Sequence, residues 1–393
     1  MLAVTEGCPA LQVEFTTDLR SEEKTRLAEV TIQANQIETV PIQSAARGTD
    51  TSADRSRRPV FVIGCHRSGT NLLYDMLLSS GDFAIYRGQL PVYKLFLPKF
   101  GSLDKRGNME RAVDTWLHSK GYRRSGLKAK EIRAKLLEAC HSAGDFMRTV
   151  MNEIASNQNA RRWAIYDPDG VLYMQQIKAD IPEALFIHIV RDGRDIALSL
   201  KKMEGFKPLP WDIGSSRGLL ATAAYWKWMV RTGQTCGRTI PADYMEVRYE
   251  DLVQTPHETL AALGRFLDHD LDYERIQKAG LGRLSETNSS FREEGAHSGI
   301  NPVQRWKERL SHDQVAALEA LVGDCLEEHG YELATPLKQR KAGLHGKWIR
   351  AFYPALLGAK QWLKTRTPLG KLANLSVLEL SDVVPETSVV DSR

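Results

Sequence analysis

The sequence predicts an α/β protein: a P-loop-like parallel sheet with helices on both faces. Three observations predict it. The candidate strands are continuous apolar runs, as in Leu185-Phe186-Ile187-His188-Ile189-Val190, and strands buried on both faces read that way. They alternate with helical periods along the chain. Two of them run into short polar loops followed by helical patterns, the arrangement of an anion-binding helix N-terminus.

Residues 1–57 are polar and rich in Thr, Ser and Glu. They are expected to be a flexible segment with, at most, a short helix over 21–38. The folded core is expected over 58–335. Its strands are placed at 60–64, 162–166, 184–190 and 244–249. Its helices are placed at 70–80, 130–157, 171–179, 194–203, 216–233, 256–268 and 311–329. Residues 84–130 read as irregular and rich in Lys, Arg, Tyr and Gly. Ligands of such sheets bind beyond the C-terminal strand ends, where both polar loops fall.

A chain of 393 residues can bury a full core. Its net charge of +4 is too small to argue for nucleic acid. The five cysteines, Cys8, Cys65, Cys140, Cys236 and Cys325, are scattered, so neither a disulfide framework nor a zinc site is expected. The histidines have no ligand spacing, no metal is expected, and His188 reads as a core residue. The N-terminus lacks a basic run followed by an apolar one, and no apolar run reaches membrane-spanning length. A cytoplasmic setting is expected.

The first loop is Gly64-Cys65-His66-Arg67-Ser68-Gly69-Thr70-Asn71. Gly64 and Gly69 permit unusual backbone angles and close approach to an anion. Arg67 brings a cation, Ser68 and Thr70 bring hydroxyls, and Asn71 brings an amide. A nucleotide P-loop has Lys between its last Gly and the Ser/Thr. Here Thr70 follows Gly69 directly. In the second loop Arg191 leaves the end of an apolar strand. If Asp192 or Gly193 caps the next helix, Ser199 lies about two turns in, near the same edge. Arg191 and Ser199 then approach one phosphate from two directions. Alternatively, Arg191, Asp192, Arg194 and Asp195 form a solvated surface cluster.

With these residues the sequence resembles the sulfotransferases that use 3'-phosphoadenosine 5'-phosphosulfate (PAPS), and most of all their carbohydrate, tyrosylprotein and bacterial branches. The resemblance spans about 58–335 and implies the sulfotransferase fold. It implies that Gly64 and His66 to Asn71 bind the 5'-phosphosulfate, with Arg67 also meeting the reacting group, and that Arg191 and Ser199 bind the 3'-phosphate. Tyr249, in Val247-Arg248-Tyr249-Glu250-Asp251-Leu252, is similar to the family's tyrosine near the adenine; Glu250 and Asp251 otherwise simply begin a helix. Gln304-Arg305-Trp306-Lys307 resembles the family's closing segment. It lacks the basic-Lys-Gly run that often precedes the Trp, so Arg292 and Arg305 are the substitutes for a further 3'-phosphate contact.

The resemblance implies sulfuryl transfer from PAPS to a hydroxyl or amine of an acceptor such as a carbohydrate, lipid or small metabolite, with residues 84–130 facing it. The rival readings are a P-loop small-molecule kinase using ATP, and a non-catalytic nucleotide-binding protein. Related enzymes carry a His or Glu base shortly after the first helix. This chain has Asp82, Tyr86, Arg87, Gly88 and Gln89 there, so Asp167, in Tyr166-Asp167-Pro168-Asp169, is the candidate base. Its other reading is a helix cap.

Residues 336–393 form a basic extension. From Lys338 to Lys371 there are nine Lys and Arg residues and no Asp or Glu. On a helical wheel Trp348, Phe352, Ala355, Leu356, Ala359, Trp362 and Leu363 share one face, and Lys347, Arg350, Lys360 and Lys364 the other. The pattern fits peripheral membrane contact through 338–371 or packing against the protein's own core. Pro354 is expected to kink or break this helix.

Overall fold

The computed structural model describes residues 54–203, 205–212, 218–280 and 303–372. Five parallel strands form its centre: β1 Val60–Gly64, β2 Phe83–Ala84, β3 Arg162–Tyr166, β4 Leu185–Val190 and β5 Tyr244–Arg248. They lie in the order β2-β3-β1-β4-β5. β1 and β4 are in register from Val60↔Leu185 to Gly64↔Ile189. The loops that follow these two strands therefore leave the sheet side by side. Between β3 and β4 the chain crosses β1, and the crevice at such a reversal is where open α/β sheets take ligands.

Every residue of β1 and β4 is buried, because helices cover both sheet faces. One face packs Phe61, Ile63 and Phe186 against Trp226 and Phe146. The other packs Val60, Val62 and Ile187 against Leu73, Leu77 and Leu263. His188 lies inside, its Nδ1 2.6 Å from the Tyr244 hydroxyl.

Several elements depart from expectation. β2 is an addition, too short to show a period. The expected 130–157 helix is two, Ala129–Ala139 and Ala143–Asn157. Ser142 divides them, its side chain accepting the Asp145 N–H as the cap of the second. Residues 84–130 are not irregular: they hold helices Leu97–Phe100, Arg106–Leu117 and Lys120–Arg123. Met109, Ala112, Val113 and Trp116 form a buried helical stripe there, masked in the sequence by the surrounding charges. The expected 171–179 helix begins as a 3-10 turn, Pro168–Tyr173, and continues as Met174–Asp180. β5 stops at Arg248, and Tyr249 opens the Tyr249–Gln254 helix.

The basic extension forms one helix, Leu344–Arg366, that runs through Pro354. Pro354 is exposed, so water can serve the carbonyl that its missing N–H leaves. Gly346, Ile349, Tyr353 and Leu357 are the buried face. Lys360 and Lys364 fall on this face too: Lys360 Nζ donates to the carbonyls of Lys207 and Pro208 at 3.0 and 2.7 Å. Those two lysines serve the protein's own surface, and the aromatic face stays outside. No helix among the described residues is long and apolar enough to cross a membrane. The 21–38 segment, Arg292 and the stretch before Val303 lie outside the described residues.

Candidate active site

β1 delivers its last residue, Gly64, with φ 153° against β4; a Cβ there would lie 2.5 Å from the Ile189 carbonyl oxygen. The loop then curls through Arg67 at φ 73° and Gly69 at φ 99°. Such angles suit glycine and are uncommon in other residues. A Cβ at Gly69 would lie 2.4 Å from the Tyr249 ring. The Thr70–Ser79 helix starts here with no side-chain cap, so its first amides are not served by a capping side chain. Ser68 is wholly buried, and its Oγ has no hydrogen-bond partner among the described residues. Thr70 is buried as well, while Asn71 is exposed.

The loop after β4 is built differently, from buried charge. Asp192 caps the Gly193–Lys202 helix by accepting the Arg194 N–H at 2.9 Å. The same carboxylate accepts from Arg194 NH2 at 2.8 Å and from Trp306 Nε1 at 3.1 Å. Arg194 stacks on Trp306, 3.8 Å from the ring centre, and donates to Glu319 Oε1 at 2.7 Å. Asp195 accepts the N–H groups of Gln304 and Trp306, both at 2.9 Å. Glu250 accepts the Asp192 N–H at 3.0 Å and the Tyr331 hydroxyl at 2.8 Å. Arg191, Asp192, Arg194 and Asp195 are all buried, which excludes the solvated surface cluster. Buried charges need such complete pairing to be tolerated, and the pairing fixes Arg191 at the strand end.

The two loops meet. Arg67 Nε donates to Ser199 Oγ at 3.0 Å, and Arg191 NH1 donates to the Arg67 carbonyl oxygen at 3.3 Å. The Arg191 guanidinium lies 4.4 Å from the centre of the Tyr249 ring. Burial raises the Tyr249 hydroxyl above its ordinary value, against the charges of Arg191 and Arg305, so Arg305 belongs to the same neighbourhood. Burial, and then Arg191, lower Arg67 from its ordinary value. Two cations drawn this close favour an anion between or beside them. Gly64, Arg67, Ser68, Gly69, Thr70, Arg191, Ser199, Tyr249 and Arg305 thus share one corner of the sheet.

His66 takes another direction. Its Nε2 donates to Asp169 Oδ1 at 3.1 Å, and the Lys94 ammonium pairs with Asp169 Oδ2. Burial alone would raise Asp169, but His66 and Lys94 hold it far below the usual carboxylate range. Asp167 stands at the end of β3, its Oδ1 accepting the Asp169 N–H at 3.2 Å. It is therefore the cap of the Pro168–Tyr173 turn. It is also tuned: burial, then the Asp169 charge, push it up to about 6.

The sequence reading missed Lys94, Trp306 as a partner of Asp192, and Glu319. Lys94 sits among the many cations of 84–130 and nothing local singles it out. Glu319 had a signal: it lies on the helical stripe of Val315, Leu318 and Val322, where a charge must find a buried partner.

A family model described as "Sulfotransferase family" matches residues 59–273, and the chain belongs to that family. Among solved structures, the sulfotransferase domain of the Synechococcus PCC 7002 olefin synthase is similar at 20% identity and TM-score 0.48, covering 70% of this chain and 96% of its own. The sulfotransferase domain of the curacin biosynthetic pathway follows at 14% identity and TM-score 0.43, covering 70% and 99%. Sulfotransferase STF1 from Mycobacterium tuberculosis H37Rv stands at 18% identity and TM-score 0.36, covering 65% and 76%. No curated protein matches the chain significantly.

Proposed function

We propose that this chain transfers a sulfuryl group from PAPS to an acceptor hydroxyl. The observation that carries the reading is the junction of the two loops through Arg67 and Ser199 at 3.0 Å. It sets two anion sites edge to edge, as a donor with phosphate at one end of its nucleoside and phosphosulfate at the other requires. The buried, unpartnered Ser68 Oγ and the positive-φ cradle at Gly69 fit an anion there.

In this reading Arg67, Ser68, Gly69, Thr70 and the first amides of the Thr70–Ser79 helix hold the 5'-phosphosulfate. Arg191, Ser199 and Arg305 hold the 3'-phosphate, and the Tyr249 ring supports the base. Bound there, PAPS supplies the sulfuryl group, and the acceptor hydroxyl gains it as it gives up its proton. Arg67 and the loop amides are fixed donors for charge that grows on the leaving phosphate oxygen, and one such donor is worth about two to three powers of ten in rate. Asp167 takes the acceptor proton at its carboxylate. A carboxyl group with a value near 6 is ionised at neutral pH yet more basic than an ordinary one. His66 and Lys94 do not take the proton; they fix Asp169, whose charge keeps Asp167 basic.

Calorimetry with adenosine 3',5'-bisphosphate against ATP–Mg²⁺ tests the donor class. Tight bisphosphate binding with weak ATP binding is expected. Preference for ATP–Mg²⁺ would replace the reading with a kinase. Bisphosphate binding without transfer from labelled PAPS to any hydroxyl or amine acceptor would reduce the chain to a binding protein.

A further inference from the structure

The Leu344–Arg366 helix carries three stripes, and only one of them is used by the fold. Its inner stripe is anchored: the Tyr353 hydroxyl donates to both Asp212 oxygens at 2.7 and 2.6 Å. Lys364 Nζ reaches the Tyr173 hydroxyl at 3.5 Å. Its outer stripe is apolar and bare: Trp348 is 42% exposed, Phe352 53% and Trp362 53%, with Leu344 and Leu363 beside them. Large apolar side chains are rarely left out this way. Of the ten that are exposed among the described residues, eight lie between Leu337 and Leu372. This is one patch, not the scatter normal for a protein surface.

The third stripe is cationic. Lys347, Arg350 and Arg366 flank the apolar stripe, and Lys338, Lys341 and Lys371 extend it at either end, all exposed. No Asp or Glu occurs from 338 to 371. A surface complementary to it must be anionic over a length of about 34 Å, the span of a 23-residue helix. It must also accept tryptophan and phenylalanine at its boundary. Tryptophan favours the headgroup region of a bilayer, and cations beside it gain about 1 kcal/mol each at an anionic surface.

We propose that this helix seats the protein on an anionic lipid bilayer, lying in the interface with Trp348, Phe352 and Trp362 inserted. The helix is already folded and anchored by its inner stripe, so docking does not bear the ordering cost that a disordered tail would. Docking also orients the molecule. The inner stripe meets Tyr173, in the turn that Asp167 caps, so the catalytic carboxylate lies behind the docked helix. If the proposed reaction holds, the acceptor hydroxyl is one presented at the bilayer surface. That consequence rests on the reaction; the docking does not.

Vesicle co-sedimentation of the full chain, without nucleotide, tests the docking alone. With phosphatidylcholine vesicles containing phosphatidylglycerol, the protein is expected to pellet, and high salt should weaken the effect. The triple variant Trp348→Ala, Phe352→Ala, Trp362→Ala should partition about tenfold more weakly or worse. Its thermal midpoint should match the parent, because the altered side chains are exposed. Replacing Lys347, Arg350 and Arg366 with Gln should abolish the preference for anionic over pure phosphatidylcholine vesicles. Equal pelleting of parent and aromatic variant, or no pelleting of the parent, overturns the proposal. So does light scattering that shows a dimer dispersed by the aromatic variant without lipid, since the stripe is then a self-association surface.

Discussion

Ser199→Ala is the most informative perturbation of the junction between the loops. The change removes one oxygen, Oγ, which accepts from the Arg67 guanidinium at 3.0 Å. A hydrogen bond to a charged group contributes about 1.5–3 kcal/mol, and about 1.4 kcal/mol is a factor of ten in affinity. The dissociation constant for adenosine 3',5'-bisphosphate should therefore rise by about one to two powers of ten. Folding stability should hardly move. Ser199 lies inside the Gly193–Lys202 helix, where alanine is the better helix former by a few tenths of a kcal/mol. Loss of binding without loss of stability separates a ligand-holding role from a structural one.

The structure adds a second requirement. Arg67 and Ser199 touch, so their effects must couple. Arg67→Lys also removes the Nε–H that meets Ser199. A double-mutant cycle on bisphosphate affinity, read by calorimetry, should show a coupling energy of about 0.5–3 kcal/mol. Unchanged affinity in Ser199→Ala, or additive single variants, would refute the reading that the two loops hold one ligand.

Three further outcomes follow from the same geometry. Since Asp167 must be ionised to take a proton and sits at about 6, kcat/KM for PAPS with any acceptor found should rise as pH passes upward through 6 and then level. Asp167→Asn should cost about two to four powers of ten in rate and remove that acid limb; an intact limb in the variant places the base elsewhere. Gly69→Ala forces a left-handed residue and a 2.4 Å clash with Tyr249, and bisphosphate affinity measured by calorimetry should fall more than tenfold, or the ring is not part of the cradle. Glu319→Ala strands the buried Arg194 guanidinium; urea unfolding should show a loss of about 3–5 kcal/mol, and a neutral result would mean that water replaces the carboxylate.

The half of the site assigned to the donor was legible in the sequence because it is written locally. Each loop joins a strand and a helix within about a dozen residues, and strand-loop-helix order forces its position at the sheet edge. Gly64, Gly69 and Arg191 could be placed before any coordinates. Neither loop announced that Arg67 would reach Ser199, because the contact depends on β1 and β4 being neighbours, and sheet order is not a local property. The polar network around Asp192 was illegible for a related reason. Arg-Asp-Gly-Arg-Asp looks like a solvated surface until Trp306, Glu319 and Tyr331 cover it from more than a hundred residues away.

The acceptor side obeys a different rule. Lys94 and Asp169 pair across the stretch between two strands, and Lys364 reaches Tyr173 from a helix that begins at Leu344. None of these positions forms a motif with its sequence neighbours. Trp306, Glu319, Tyr331 and Lys364 also lie beyond residues 59–273, where the family match ends. The matched stretch therefore contains both anion loops, but not the groups that clamp the β4 loop or the lysine that meets the turn capped by Asp167. A family assignment resting on 59–273 carries information about the donor reaction and little about the acceptor. Acceptor preference in this chain is to be sought in Lys94, in the Pro168–Tyr173 turn and in the Leu344–Arg366 helix, whose outer face decides where the protein sits and whose inner face lines what it can reach.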